Sequence, residues 1–257
     1  MSAIYALGLV LLCSMVLVGG KQGWRSFLSL LLNFGFLFFA IVLIEFHVPP
    51  MFVTATTGIT ILAITIFMGE DDLKTTVTAF YASLIVLAIL ILLILFVSHW
   101  AMAQGFGTED SDDLEGMSIL IGISYLKVSV TAIVISTLGA IAEAAMAISA
   151  GLTEILETHP QISNPRLVEG GMEIGRQIIG TTLNTLFFGF FGGFLSLFIW
   201  FAGLHYSFGM IFNNKIFIAE LIEILISFLG VLLTVPITSL VMVKRRKRVI
   251  DKPVETK

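Results

Sequence analysis

Cysteine and charge are both scarce in this sequence of 257 residues. There is one cysteine, Cys13, and only 12% of residues are Asp, Glu, Lys or Arg. A single cysteine excludes an internal disulfide framework and a cysteine-based metal cluster. It is not a lipidation site either: Leu12 stands where a lipoprotein signal wants a small residue, and the charged start and Ala-x-Ala end of a cleavable signal are missing. The first apolar run is therefore expected to stay as a helix. The four histidines, His47, His99, His159 and His205, have no metal-ligand spacing, and no glycine-rich phosphate loop, HExxH, GxSxG or CxxC motif occurs. The expectation is no cofactor, no metal and no self-contained enzyme, so that coupling energy for any transport would come from an ion gradient or a partner.

What the sequence has is apolar residues: 57% of the chain, with a mean hydropathy of +1.02. Soluble domains carry roughly 25% charged residues, about twice the content here, so most of the surface must face lipid. Within the apolar runs neighbours are alike, as in LIVLAILILLILFV, without the alternation of a barrel strand. The fold class predicted is an all-α polytopic bundle in one membrane domain, residues 1–243, followed by a basic tail, 244–257. A bilayer core of about 30 Å needs roughly 20 residues per helix. Seven runs qualify as spans: 3–20, 27–46, 51–68, 79–98, 119–142, 178–202 and 216–242.

Basic residues orient such a bundle, because cytoplasmic loops retain them. With the C-terminus inside, 12 of the 14 Lys and Arg residues fall on the inner side, Lys215 falls outside and Lys127 lies near the outer end of the fifth span. Seven spans then put the N-terminus outside, make the acidic segment 105–116 an outer loop and make 143–177 the largest inner segment. The run 244–248, KRRKR, reads as a topology anchor against anionic lipid. It lacks the folded, aromatic-interleaved face that nucleic-acid binding needs.

Carboxylates inside lipid are costly and mark candidate sites. In the last span Glu220, Glu223, Ser227, Gly230, Thr234 and Thr238 fall within an arc of about 80°. Two carboxylates at that spacing suit proton or cation handling, or else lie hydrated near the outer interface beside Lys215 or Lys127. In 139–157, Glu143, Ala147, Ala150, Glu154 and Glu157 share a face that either lines an inner vestibule or is the wet side of an interfacial helix. Ala140 with Ala144, and Ala147 with Gly151, are spaced for close helix packing. Further on, Arg176, Gly180 and Asn184 recur every four residues. Arg176 is expected at the inner surface, within reach of Glu143 or Glu154, and Asn184 about 12 Å deeper, needing a partner across the bundle. Gly189 and Gly193 have GxxxG spacing. Thr54, Thr57 and Thr60 can satisfy themselves on helix carbonyls, and Pro236 is expected to kink the final helix.

LGAIAEAAMAISAGLTEI (138–155) and GRQIIGTTLNTLFFGFFGG (175–193) resemble the two signature stretches of the YibE/F-like membrane protein family, over about residues 30–245. The matching positions are Glu143 after LGA, then Gly175, Arg176, Thr182, Asn184, Thr185 and Leu186. The chain lacks the extra anchored segment of many members and is similar to the shorter YibF-type proteins, which implies a bacterial plasma (inner) membrane location and a YibE-type partner or a homo-oligomer. This chain has a single Glu, Glu143 preceded by Ala142, at a place where relatives carry one or two acids, and the family brings no agreed activity. Two functions stay open: a transporter or permease component for an ion or small solute, which predicts a cavity, and a noncatalytic scaffold or sensor subunit, which predicts a partner.

Overall fold

The computed structural model describes residues 2–101 and 125–250, and every regular element in them is a helix. In chain order these are α1 (Ser2–Glu45), α2 (Pro50–Gly69), α3 (Leu73–Ala101), α4 (Tyr125–Thr158), α5 (Asn164–Gly193), α6 (Leu195–Gly203), α7 (Phe208–Asn213) and α8 (Lys215–Ile250). The acidic segment 105–116, the start of the expected fifth span and the end of the basic tail lie outside the described residues.

Local chemistry explains where these helices stop and start. Pro50 opens α2, where a missing N–H costs nothing. Asp72 opens α3: its carboxylate accepts from the Lys74 amide at 3.1 Å, the Thr75 amide at 2.8 Å and the Thr75 hydroxyl at 2.6 Å, satisfying amides that a helix start leaves orphaned. Two histidines end helices by entering the left-handed region, His47 at φ 62° after α1 and His205 at φ 54° after α6. There the Val48 amide donates to the Leu43 carbonyl at 3.1 Å and the Tyr206 amide to the Phe201 carbonyl at 3.0 Å, which closes the last turn.

Two helical paths are broken. Gly20, at φ 54° and ψ −129°, interrupts α1 between the two runs expected as separate spans, and the chain turns so sharply there that Gly23 lies against the Met15 carbonyl. α5 and α6 bend by 45° at Phe194. Five helices, α1, α2, α3, α4 and α8, are each long and apolar enough to cross a membrane, and six are if the bent α5–α6 pair forms one span. α8 continues as one helix through Pro236.

α4 is the centre of the bundle, packed by α2 and α3 on one side and by α5 and α8 on the other. One core joins α2, α3, α4 and α8 through Leu62, Leu90, Leu138 and Ile226, all at most 3% exposed. A second joins α4, α5 and α8 through Leu152, Leu156, Leu167 and Met242. Lipid tails are as apolar as leucine, so such helices associate by close van der Waals contact at small residues. A Cβ on Gly230 would stand 2.9 Å from Leu90 Cδ1 and 3.3 Å from Ile141 Cγ1, and one on Gly151 would stand 2.6 Å from Ile174 Cδ1. Gly171 and Gly175 of α5 lie still tighter, on Ser239 and Val235 of α8.

One end of the bundle collects the basic residues into polar contacts. Arg25 donates to the Phe67 carbonyl at 2.9 Å and pairs with Asp71, while Gln22 donates to the Met68 carbonyl at 3.2 Å and to that of Gly69. These donors satisfy the open carbonyls that end α2. Lys74 bridges Glu157 at 2.8 Å. Arg246 donates to Asn164 Oδ1 at 3.0 Å and to the Pro160 carbonyl at 2.7 Å, and Arg245 stacks 5.1 Å from the Tyr81 ring centroid.

Candidate functional site

Toward the opposite end, α4, α5 and α8 enclose a partly open cavity of about 350 Å³. Its polar wall is Glu220 and Glu223, one turn apart on α8, with the hydroxyls of Ser136 on α4, Thr185 on α5 and Ser227 on α8. Ser136 lies within hydrogen-bond reach of the Glu223 carboxylate. The Ser227 hydroxyl is turned to its own helix, donating to the Glu223 carbonyl at 2.9 Å. The apolar wall includes Phe190 and Phe194, whose rings stack with centroids 5.3 Å apart. Neither carboxylate has an ion-pair partner among the described residues; Lys215 and Lys127 are exposed rather than paired with them.

On α5 the cavity runs past Gly189, where a Cβ would meet nothing within 4 Å. α8 turns Glu220, Glu223 and Ser227 toward that gap at helical spacing and gives its other faces to α3 and α4.

From Ser136, α4 carries an uncovered face inward through Gly139, Glu143, Ala147, Ala150, Glu154 and Glu157, all at least partly exposed. Glu143 lies about 10 Å beyond Ser136 by helical rise. Glu143 and Glu154 have no ion pair among the described residues, whereas Glu157 meets Lys74. Arg176 does not reach Glu143 or Glu154. Ile174 and Gly175 take the inward positions, against Gly151 and Val235, and Arg176, one residue further round the helix, is exposed with no ion pair among the described residues. Asn184 is also exposed, on a face of α5 shared with Gln177, Gly180 and Thr181. Because α5 runs antiparallel to α4 with Ile174 against Gly151, Asn184 stands about level with Ile141, near the depth of Glu143.

The structure divides the small residues named for packing. Ala140 and Ala144 are buried with Val231 against Ile178, Ile179 and Leu183, and Gly151 meets Ile174. Ala147 is exposed, and Cβ atoms on Gly189 or Gly193 would touch nothing within 4 Å. The tight crossing of α5 is Gly171 and Gly175, a second GxxxG in VEGGMEIG that the sequence reading passed over. The four-residue spacing was the available signal. Also missed were the bonds of Gln22 and Arg25 across to α2 and the cavity's Phe190, Phe194 and Ser136; Thr185, named above only as a signature position, lines the cavity too. Thr54 and Thr60 bond back to the carbonyls of Pro50 and Thr56 as expected, but Thr54 also meets Thr131 of α4 at 2.7 Å.

The family model described as YibE/F-like protein matches residues 7–248, nearly the whole chain. No curated protein and no solved structure matches it.

Proposed function

Since the chain belongs to the YibE/F-like protein family and is built of apolar membrane-length helices, we propose that it is a transporter or permease component that passes a cation through the acidic cavity. The observation that carries this reading is the cavity of about 350 Å³ with Glu220 and Glu223 in its wall. Membrane carboxylates without a cationic partner mark ion or proton paths, and the uncovered face of α4 leads from the cavity at Ser136 to Glu143.

The accompanying topology is seven crossings of a bacterial inner membrane, with the N-terminus outside and the C-terminus cytoplasmic. In its support, Gly20 divides α1 into two helical lengths, the α5–α6 pair is long and apolar enough to cross if it forms one bent span, and Arg25, Lys74, Arg245 and Arg246 make their contacts at one end of the bundle. Maleimide labelling of single cysteines placed at Ser2 and Lys257 in a Cys13→Ser chain tests it. Labelling of both ends from the same side would exclude an odd number of spans.

Flux is tested in liposomes with the purified chain, alone and with a YibE-type partner. Proton or cation flux should occur in wild type and drop by about tenfold or more in Glu223→Gln. Wild-type rates in both Glu143→Gln and Glu223→Gln would detach transport from these carboxylates.

A second reading, a noncatalytic scaffold or sensor subunit, is favoured by the uncovered polar groups Glu143, Arg176, Gln177 and Asn184 beside the open glycines Gly139 and Gly180. Polar residues at that depth suit the helices of a YibE-type subunit or a second copy. Absence of flux together with stable copurification of such a subunit would select it.

A further inference from the structure

We propose that the cavity between α4, α5 and α8 binds a small organic ammonium ion, held by Glu220 and Glu223 at one wall and by the Phe190 and Phe194 rings at the other. This deepens the permease reading and rests on it for the site.

Size is the first argument. A cavity of about 350 Å³ falls in the range of small-molecule sites, roughly 300–1,000 Å³, and is far larger than a desolvated metal ion requires. The donor set is the second. A hard cation such as Ca²⁺ takes about 6–8 oxygen ligands drawn closely around it; here the hydroxyls of Ser136, Thr185 and Ser227 each donate to a carbonyl of their own helix, and Glu220 and Glu223 are the charged groups of the wall among the described residues. Among the described residues no group of three or more His, Cys, Asp or Glu is placed to hold a metal.

The aromatic wall is the third. Phe190 and Phe194 stack at 5.3 Å with 24° between ring planes and line the same space as the carboxylates. Phenyl rings give a hydrated inorganic ion little, but their faces attract an alkylammonium, which sheds water readily and carries its charge on C–H groups. The carboxylates meanwhile stand one helical turn apart, with no Lys or Arg beside them in the cavity wall among the described residues. One wall therefore takes the charge and the other takes the alkyl part.

Titration of wild-type chain in lipid nanodiscs with tetramethylammonium and 1,4-diaminobutane, against sodium, potassium and magnesium chlorides at constant ionic strength, tests the assignment. The amines should bind with saturation and raise the unfolding temperature. Glu223→Gln should weaken tetramethylammonium binding by about tenfold, and the Phe190→Leu/Phe194→Leu variant by about threefold or more, leaving the sodium response unchanged. Unfolding temperatures without ligand verify that each variant is folded. No amine binding up to about 10 mM, or amine binding indifferent to both variants, would overturn the proposal. Proton or sodium flux abolished by Glu223→Gln without amine binding would leave the permease reading standing and remove this one. Amine binding without flux of any cation would do the reverse.

Discussion

Replacing Gly175 by alanine adds one methyl group at the tightest helix crossing, and its cost can be worked out from the neighbours. The new Cβ would fall on three atoms of Val235, its Cβ and both Cγ atoms. Valine in a helix has essentially one χ1 rotamer, so Val235, 2% exposed on α8, cannot turn away, and the helices themselves must part. Overpacking of this kind costs about 1–3 kcal/mol. Gly→Ala in a helix otherwise gains about 1 kcal/mol, so the comparison is with Gly35→Ala on α1, where a Cβ meets nothing within 4 Å. The two variants should differ by the overpacking cost alone. At roughly 2–4 °C per kcal/mol for a chain of this size, Gly175→Ala should melt about 2–12 °C below Gly35→Ala when monodispersity after heating is followed by size-exclusion chromatography. Adding Val235→Ala removes the two Cγ atoms and should restore most of the loss. Equal melting of the two glycine variants would refute the crossing as described.

Three other perturbations have defined outcomes. Burial alone would raise the Asp72 carboxyl, but the Thr75 hydroxyl, the Thr75 and Lys74 amides and the Lys74 charge outweigh it and hold it below the usual carboxylate range. The stability it contributes is therefore complete above the unfolded-state value near 3.9 and is lost as pH falls through the lower folded value; Asp72→Asn should flatten the acid limb of a melting-temperature profile. Asp72→Ala should cost about 1 kcal/mol near neutral pH through loss of the helix cap, and no change in melting would remove Asp72 as the cap. Gly20→Ala should destabilise by about 1–3 kcal/mol because its φ of 54° with ψ of −129° is a conformation that suits glycine and strains any residue with a Cβ, with Gly19→Ala, at an ordinary backbone angle, as the control in the same assay.

The helical class and the apolar runs were legible because 3.6-residue geometry and a lipid surroundings leave long uniform stretches in sequence. The acidic pair on α8 was legible for a similar reason: Glu220 and Glu223 interrupt one of those stretches. The partners of polar groups were less legible. Arg176 was expected to reach Glu143 or Glu154, but which face of α5 turns inward is decided by Gly171 and Gly175 seating on α8, a contact between residues some 60 apart in the chain. Likewise Arg25 reads in sequence only as one of the inner basic residues, although it and Gln22 hydrogen-bond to carbonyls at the end of α2. The cavity is lined by Gly189 and the rings of Phe190 and Phe194, which in sequence look like a uniform aromatic run.

α8 is the last helix among the described residues, yet it touches α3, α4, α5 and α7. During synthesis, therefore, α3 and α4 meet lipid or a chaperone on the faces that Gly230, Val235 and Met242 later cover. The acidic wall of the cavity, Glu220, Glu223 and Ser227, is absent until α8 has been made. A truncation ahead of Lys215 would leave a half-built bundle with two open seams, one on each side of α4, and membrane quality control would meet it in that state.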